Sequence, residues 1–195
     1  MGLEQTNFST IKEYLEQESN SQVKHEFEKG SILAMTGGSL NHGILCGNAY
    51  NELSSNLEDS DSSCNAYGSE IRIHIEAVDS IVYPDAMVIC EEINTSDKDK
   101  DAVINPIVIV EVLSKSTESY DRGDKFYKYR QLDSFREYIL ISQDKPMVET
   151  FYKKEDNVWE IARYIGLDAQ IVVKSLGVTI NSQELYLNVK FNDQY

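Results

Sequence analysis

Apolar residues recur along this 195-residue chain with two periods, one near 3.6 and one of 2, and the switches between them divide it into elements. Ile11, Tyr14 and Leu15 fall on one stripe of a short helix predicted over Ser9 to Glu18, with Ser9 as its N-cap. Lys24 to Met35 reads as two short strands about Lys29-Gly30, and Thr36 to Ser39 as a turn into a longer helix, Asn41 to Glu58. On that helix His42, Leu45, Cys46, Ala49, Leu53 and Leu57 share a stripe, which predicts packing on a sheet. Three strand candidates follow: Cys64 to Ile75, Ile81 to Cys90, and Ile107 to Leu113. In the first, Ile71, Ile73 and Ile75 alternate with polar residues; the last is apolar on both faces, the mark of a central strand covered by helices.

Ser116 or Thr117 can cap a helix reaching about Leu132, and Arg136 to Ser142 is another apolar strand. Met147 to Tyr164 has the pattern of a hairpin around Glu155-Asp156-Asn157, and Ile171 to Val178 gives a final strand. The order is helix, three strands, helix, strand, followed by a β-rich tail. It predicts an α/β fold with a central sheet flanked by helices.

Composition changes this picture little. A chain of this length buries roughly 70% of its unfolded surface, and there is no repeat or Pro/Gly-rich linker, so 1–195 is read as one domain. No apolar run approaches the roughly 18 residues needed to cross a bilayer. The start, MGLEQTNFSTI, lacks the basic and apolar stretches of a secretory signal, which places the chain in the cytoplasm, away from membranes. Cys46, Cys64 and Cys90 are odd in number and widely spaced, and are read as reduced, partly buried small residues.

Charge matters more. The net charge of −15 opposes contact with phosphates, whereas Lys115 to Arg130 is locally basic and could line a groove that attracts them.

Chemistry is legible at a few carboxylates. Glu111 lies mid-strand in PIVIVEVLS, and a carboxylate buried there loses several kcal/mol of hydration unless a cation compensates, either a metal or a structural Lys or Arg. Asp85, in YPDAMVIC, shares a face with Met87 and Ile89 directly after Pro84, which cannot donate to a central ladder. If the two strands are neighbours, the carboxylates converge on one cation, and such oxygen donors suit Mg²⁺ or Mn²⁺; otherwise Asp85 is an edge or turn aspartate. Lys125 stands four residues after Asp121, either as an exposed pair contributing less than about 0.5 kcal/mol or as a cation near a reacting phosphate. His42 is either a satisfied core histidine or a group at the edge of the site. No Gly-rich phosphate loop, nucleophile elbow or Cys/His pair at catalytic spacing is present, which leaves hydrolysis through an activated water.

In several ordered blocks the chain resembles the Uma-two type of restriction-endonuclease-like proteins, a bacterial branch of the PD-(D/E)XK superfamily. The blocks are EFEKGSILAMTGGSLNHG from Glu26, SEIRIHI, YPDAMVIC, PIVIVEVLSKSTESYDRGDKFYKYRQL from Pro106, REYILISQD and SLGVTI, spanning about Ile11 to Leu187. The resemblance implies a restriction-endonuclease-like core with a central mixed sheet and a β-rich C-terminal extension. It also implies a metal-dependent DNA endonuclease in which Asp85 and Glu111 bind Mg²⁺ or Mn²⁺. Glu26 matches the family's early glutamate and His42 its helix histidine. The sequence departs from the superfamily at Leu113, where a lysine is expected two residues after the acidic one, and Lys125 is the matching position on the next helix. The partner implied is DNA, double-stranded in the first instance, and a homodimer is the assembly considered. Two other readings keep the fold: a non-catalytic DNA-binding or mobile-element accessory domain, and an acidic protein-interaction module for which the charge is natural.

Overall fold

The computed structural model describes residues 9–35, 37–60 and 62–191; the start of the chain, read above for a leader, lies outside them. Helix α1 (Ile11–Glu18) is capped by Thr10, not Ser9. The Thr10 hydroxyl oxygen accepts from Glu13 N while Glu13 accepts from Thr10 N, closing a capping box. Strands β1 (His25–Glu28) and β2 (Ser31–Ala34) form the predicted hairpin, with Lys29 and Gly30 both at positive φ in a two-residue turn. Helix α2 (Leu40–Asp59) begins at Ser39, whose hydroxyl accepts from His42 N.

Two predicted strands are broken, and the breaks build the site. Cys64 to Ile75 divides at a turn after Gly68 into β3 (Cys64–Gly68) and β4 (Arg72–Ile75). Ile81 to Cys90 divides at Tyr83-Pro84-Asp85 into β5 (Ser80–Val82) and β6 (Ala86–Cys90), where proline has no N–H for the ladder. Each half joins a different sheet. A five-stranded sheet runs β2-β1-β5-β4-β7, its last strand being β7 (Ala102–Val103), which pairs with β4 in parallel. The alternation read at Ile71 to Ile75 misleads here, because His74 is as buried as Ile73 and Ile75, and its ring meets the Ser96 hydroxyl.

The second sheet has six strands in the order β11-β10-β9-β8-β6-β3, made with β8 (Val108–Leu113), β9 (Glu137–Ser142) and the hairpin β10 (Met147–Glu155) and β11 (Val158–Ile165). Only the β8–β9 pair is parallel, so the sheet is mixed. A helical segment, α3 (118–129), crosses over between β8 and β9. The single strand predicted over Ile171 to Val178 is instead a hairpin of β12 (Gln170–Val173) and β13 (Val178–Asn181), because Gly177 turns the chain at φ 67°. A short helix, Ser182–Leu185, follows.

Both faces of the central strands β6, β8 and β9 are buried, as the apolar run at β8 requires. Val108, Val110 and Val112 face α2 and the β12–β13 hairpin, where Leu45, Leu53, Ile171 and Ile180 complete one core. Ile109 and Leu113 face Tyr129 of α3 and Ile73 and Val82 of the other sheet, in a second core. Cys64 and Cys90 sit directly opposite each other across β3 and β6 and form a disulfide, so the reading of three reduced cysteines is corrected; register brings together residues that sequence spacing keeps 26 apart. Cys46 is free.

Candidate active site

The crossing from β5 to β6 positions the central carboxylates. The β6–β8 ladder pairs Ala86 with Val110, so Asp85 lies one step beyond it, beside Glu111. Asp85 Oδ2 accepts from Val112 N at 2.7 Å, which fixes the carboxylate against β8. The same break frees the backbone of Tyr83 from any strand partner. Its N–H is taken by Glu26 Oε1 at 3.3 Å, and its carbonyl by Lys125 Nζ at 3.1 Å.

Lys125 reaches this point through a π-helical turn, Asp121–Lys125, inside α3. The wider turn shifts the phase of the helix so that Asp121, Lys125, Lys128 and Tyr129 are all buried, and such turns recur at functional sites. Lys125 Nζ lies 2.8 Å from Glu111 Oε1, 3.5 Å from Glu26 Oε1 and 3.9 Å from Asp121 Oδ1. The ammonium therefore stands beside the acidic strand residue, although it comes from the helix and not from position 113, where Leu113 fills the second core. An exposed lysine contributing little to folding is not what is found: Lys125 is 5% exposed.

Burial and neighbours set the protonation of these groups. Burial lifts the Glu111 carboxyl well above the usual range; Asp85 adds to this and Lys125 opposes it. Burial pushes Asp85 up too, but His42, Lys125 and the Val112 N–H outweigh it and hold that carboxyl below the usual range. His42 is raised by its hydrogen bond to Asp85. Lys125 is raised because Glu111, Glu26 and Asp121 together exceed the effect of burial, so it stays charged.

Glu26, His42, Asp85, Glu111 and Lys125 all line one cleft of about 390 Å³. His42 Nε2 is 3.4 Å from Asp85 Oδ2, which places the ring at the edge of the site and not in an apolar core. Gly38 makes this possible, since a Cβ there would stand 2.8 Å from His42 Nδ1. Sequence reasoning missed several groups. Tyr129 donates to Glu111 Oε1 at 2.7 Å, Tyr120 donates to Glu26 Oε2 at 3.1 Å, and the Asp121 carboxylate adds to the negative wall. The i, i+4 spacing of Asp121, Lys125 and Tyr129 puts two of them on one face with the lysine, without assigning them to the site, and Tyr120 has no such signal. Within the basic stretch from Lys115 to Arg130, Lys125 and Lys128 are buried on carboxylates and Arg122 is paired with Glu118 and Glu149.

A family model, Uma2, described as "Putative restriction endonuclease", matches residues 11–187. The chain belongs to the Uma2 family. Two Synechocystis sp. proteins, both named as uncharacterized, are similar to this Uma2 chain. One, sll1609, is 37% identical over 166 residues, covering 85% of this chain and 93% of its own; the other, slr1290, is 32% identical over 179 residues, covering 92% of each. A crystal structure titled as that of "a putative nuclease belonging to DUF820 from Anabaena variabilis ATCC 29413" matches with a TM-score of 0.70, over 91% of this chain and 97% of that one. At 16% identity that likeness concerns the fold, which in this Uma2 chain is α/β and restriction-endonuclease-like. No helix among the described residues is long and apolar enough to cross a membrane.

Proposed function

We propose that this Uma2 chain is a divalent-metal-dependent nuclease that hydrolyses phosphodiester bonds, with double-stranded DNA as substrate and Mg²⁺ or Mn²⁺ as cofactor. The observation that carries the reading is the meeting of Asp85, Glu111 and Lys125 at one cleft, with the lysine 2.8 Å from Glu111 although its usual strand position holds Leu113. The donor chemistry fits a hard divalent ion. Four carboxylates, from Glu26, Asp85, Glu111 and Asp121, line the cleft against one ammonium, an excess of negative charge that a cation would relieve.

Asp85 and Glu111 are the residues that would hold the ion. When bound it would neutralise charge on a phosphate oxygen and lower the pKa of a water. Lys125, held charged by its carboxylates, offers a positive group to the developing charge on the phosphate. Water oxygen adds to phosphorus as the bond to the 3′ oxygen breaks, and that oxygen leaves as a hydroxyl. Cutting both strands of a duplex takes two clefts, which a homodimer would supply.

Purified protein is expected to cut double-stranded DNA with Mg²⁺ or Mn²⁺ and to stop on addition of EDTA. Cleavage that persists in EDTA would overturn the mechanism, and binding of DNA without cleavage across a broad panel of sequences would favour the accessory-domain reading.

A further inference from the structure

His42 and Cys46 stand four residues apart on the 20-residue helix α2, so both project from one face of it. Cys46 Sγ is 3.4 Å from His42 Nδ1, and His42 Nε2 is 3.4 Å from Asp85 Oδ2. One donor atom from each of the three residues lies within 4.8 Å of the other two. A tetrahedral ion with bonds of about 2.0–2.3 Å spaces its donors roughly 3.5 Å apart, so side-chain rotations of order 1 Å close this set around one ion. Cys46 is outside the disulfide and keeps its thiol.

We propose that His42, Cys46 and Asp85 form a site for a thiolate-accepting divalent ion of the Zn²⁺ or Co²⁺ kind, on the α2 side of Asp85. The proposal rests on the functional reading above in one respect, that Asp85 is a metal ligand. It goes beyond that reading in ligand set and in metal class. Asp85 and Glu111 offer oxygen alone, which suits Mg²⁺ and Mn²⁺, whereas a thiolate and an imidazole favour borderline-soft ions. On binding, the Cys46 S–H bond breaks, its proton passes to solvent, and a sulfur–metal bond forms. Cys46 also borders the apolar core beneath α2. That packing is the whole account of the residue if its thiol stays protonated when the ion is supplied.

The test is a Co²⁺ titration of the full chain and of Cys46→Ser, followed by near-ultraviolet absorption, with Mn²⁺ thermal melts alongside. Wild type is expected to develop an intense sulfur-to-cobalt charge-transfer band that Zn²⁺ displaces. Cys46→Ser is expected to lack the band and to bind Zn²⁺ at least tenfold more weakly, while Mn²⁺ still raises its melting temperature. In wild type alone, Zn²⁺ should also protect Cys46 from alkylation, a readout that does not depend on any variant folding. Absence of the band and of protection, with a Mn²⁺ shift intact, overturns this site and leaves the nuclease reading standing. A band that persists in Cys46→Ser overturns it as well. No response to Mn²⁺, Co²⁺ or Zn²⁺ overturns both.

Discussion

At Lys125 the loss of hydration is met by number of partners. Three carboxylates and the Tyr83 carbonyl replace the water that burial removes, and Asp121 alone, at 3.9 Å, could not have done so. Removing one member of a buried ionic cluster leaves the others uncompensated, at a cost of about 3–5 kcal/mol. Lys125→Ala should therefore lose at least about 3 kcal/mol of unfolding free energy in urea at pH 7, as well as cleavage measured on the folded fraction. A loss below about 0.5 kcal/mol would return the residue to the surface pair its spacing suggests. Gly38 acts through His42 by leaving space for the ring. In Gly38→Ala the added methyl displaces the imidazole from Asp85, so metal affinity read by calorimetry should fall by roughly tenfold, the usual effect of disturbing a ligand's support. Unchanged affinity would show that the ring is not held there to serve a metal.

At the scale of elements, α2, β8, β9 and the β1–β2 and β10–β11 hairpins were legible because each carries its own periodicity or turn signal. The carboxylates were legible for a related reason, since Glu111 breaks an otherwise apolar strand and Asp85 follows a proline. Strand breaks were not legible. The turn after Gly68 interrupts apolar alternation without altering it, and Pro84 signals a lost ladder bond but not a change of sheet; membership of two sheets is a tertiary fact. The cross-strand pairing of Cys64 with Cys90 is likewise set by register. The β12–β13 hairpin depends on a partner far away in sequence: Glu137, at the start of β9, accepts from Lys174 N, Ser175 N and the Ser175 hydroxyl. Glu137 is fully buried, and an alanine there would orphan two backbone N–H groups, each costing about 1–3 kcal/mol. Glu137→Ala should accordingly lower unfolding free energy by at least about 2 kcal/mol and raise hydrogen exchange in residues 170–181 above that in β8. Uniform exchange with an unchanged melt would mean that the hairpin is held by its apolar contacts alone.

Over the whole molecule, a charge of −15 favours the approach of cations over that of phosphates, and Glu111 links charge to folding. Burial and the nearby Asp85 carboxylate lift its folded-state pKa, with Lys125 opposing. For an acid so raised, the folded form binds its proton more tightly than the unfolded chain. The resulting stability is present in full below the unfolded value near 4.3 and is lost as pH rises through the folded pKa. Glu111→Gln removes the charge but keeps an acceptor for Tyr129, and Lys125 still has Glu26 and Asp121. The metal-free variant should thus match wild type or exceed it by roughly 1 kcal/mol at pH 7, and the gap should close as pH falls toward 4.3. Metal reverses the order. An ion at 100 times its dissociation constant stabilises the state that binds it by about 2.7 kcal/mol, so Mn²⁺ should raise the wild-type melt and barely move that of Glu111→Gln. Thermal melts of both proteins at pH 5 and pH 7, each in EDTA and in Mn²⁺, separate the alternatives. If Glu111→Gln strongly destabilises the metal-free protein and Mn²⁺ shifts neither melt, Glu111 is the structural partner of Lys125 and the proposed nuclease loses its central ligand.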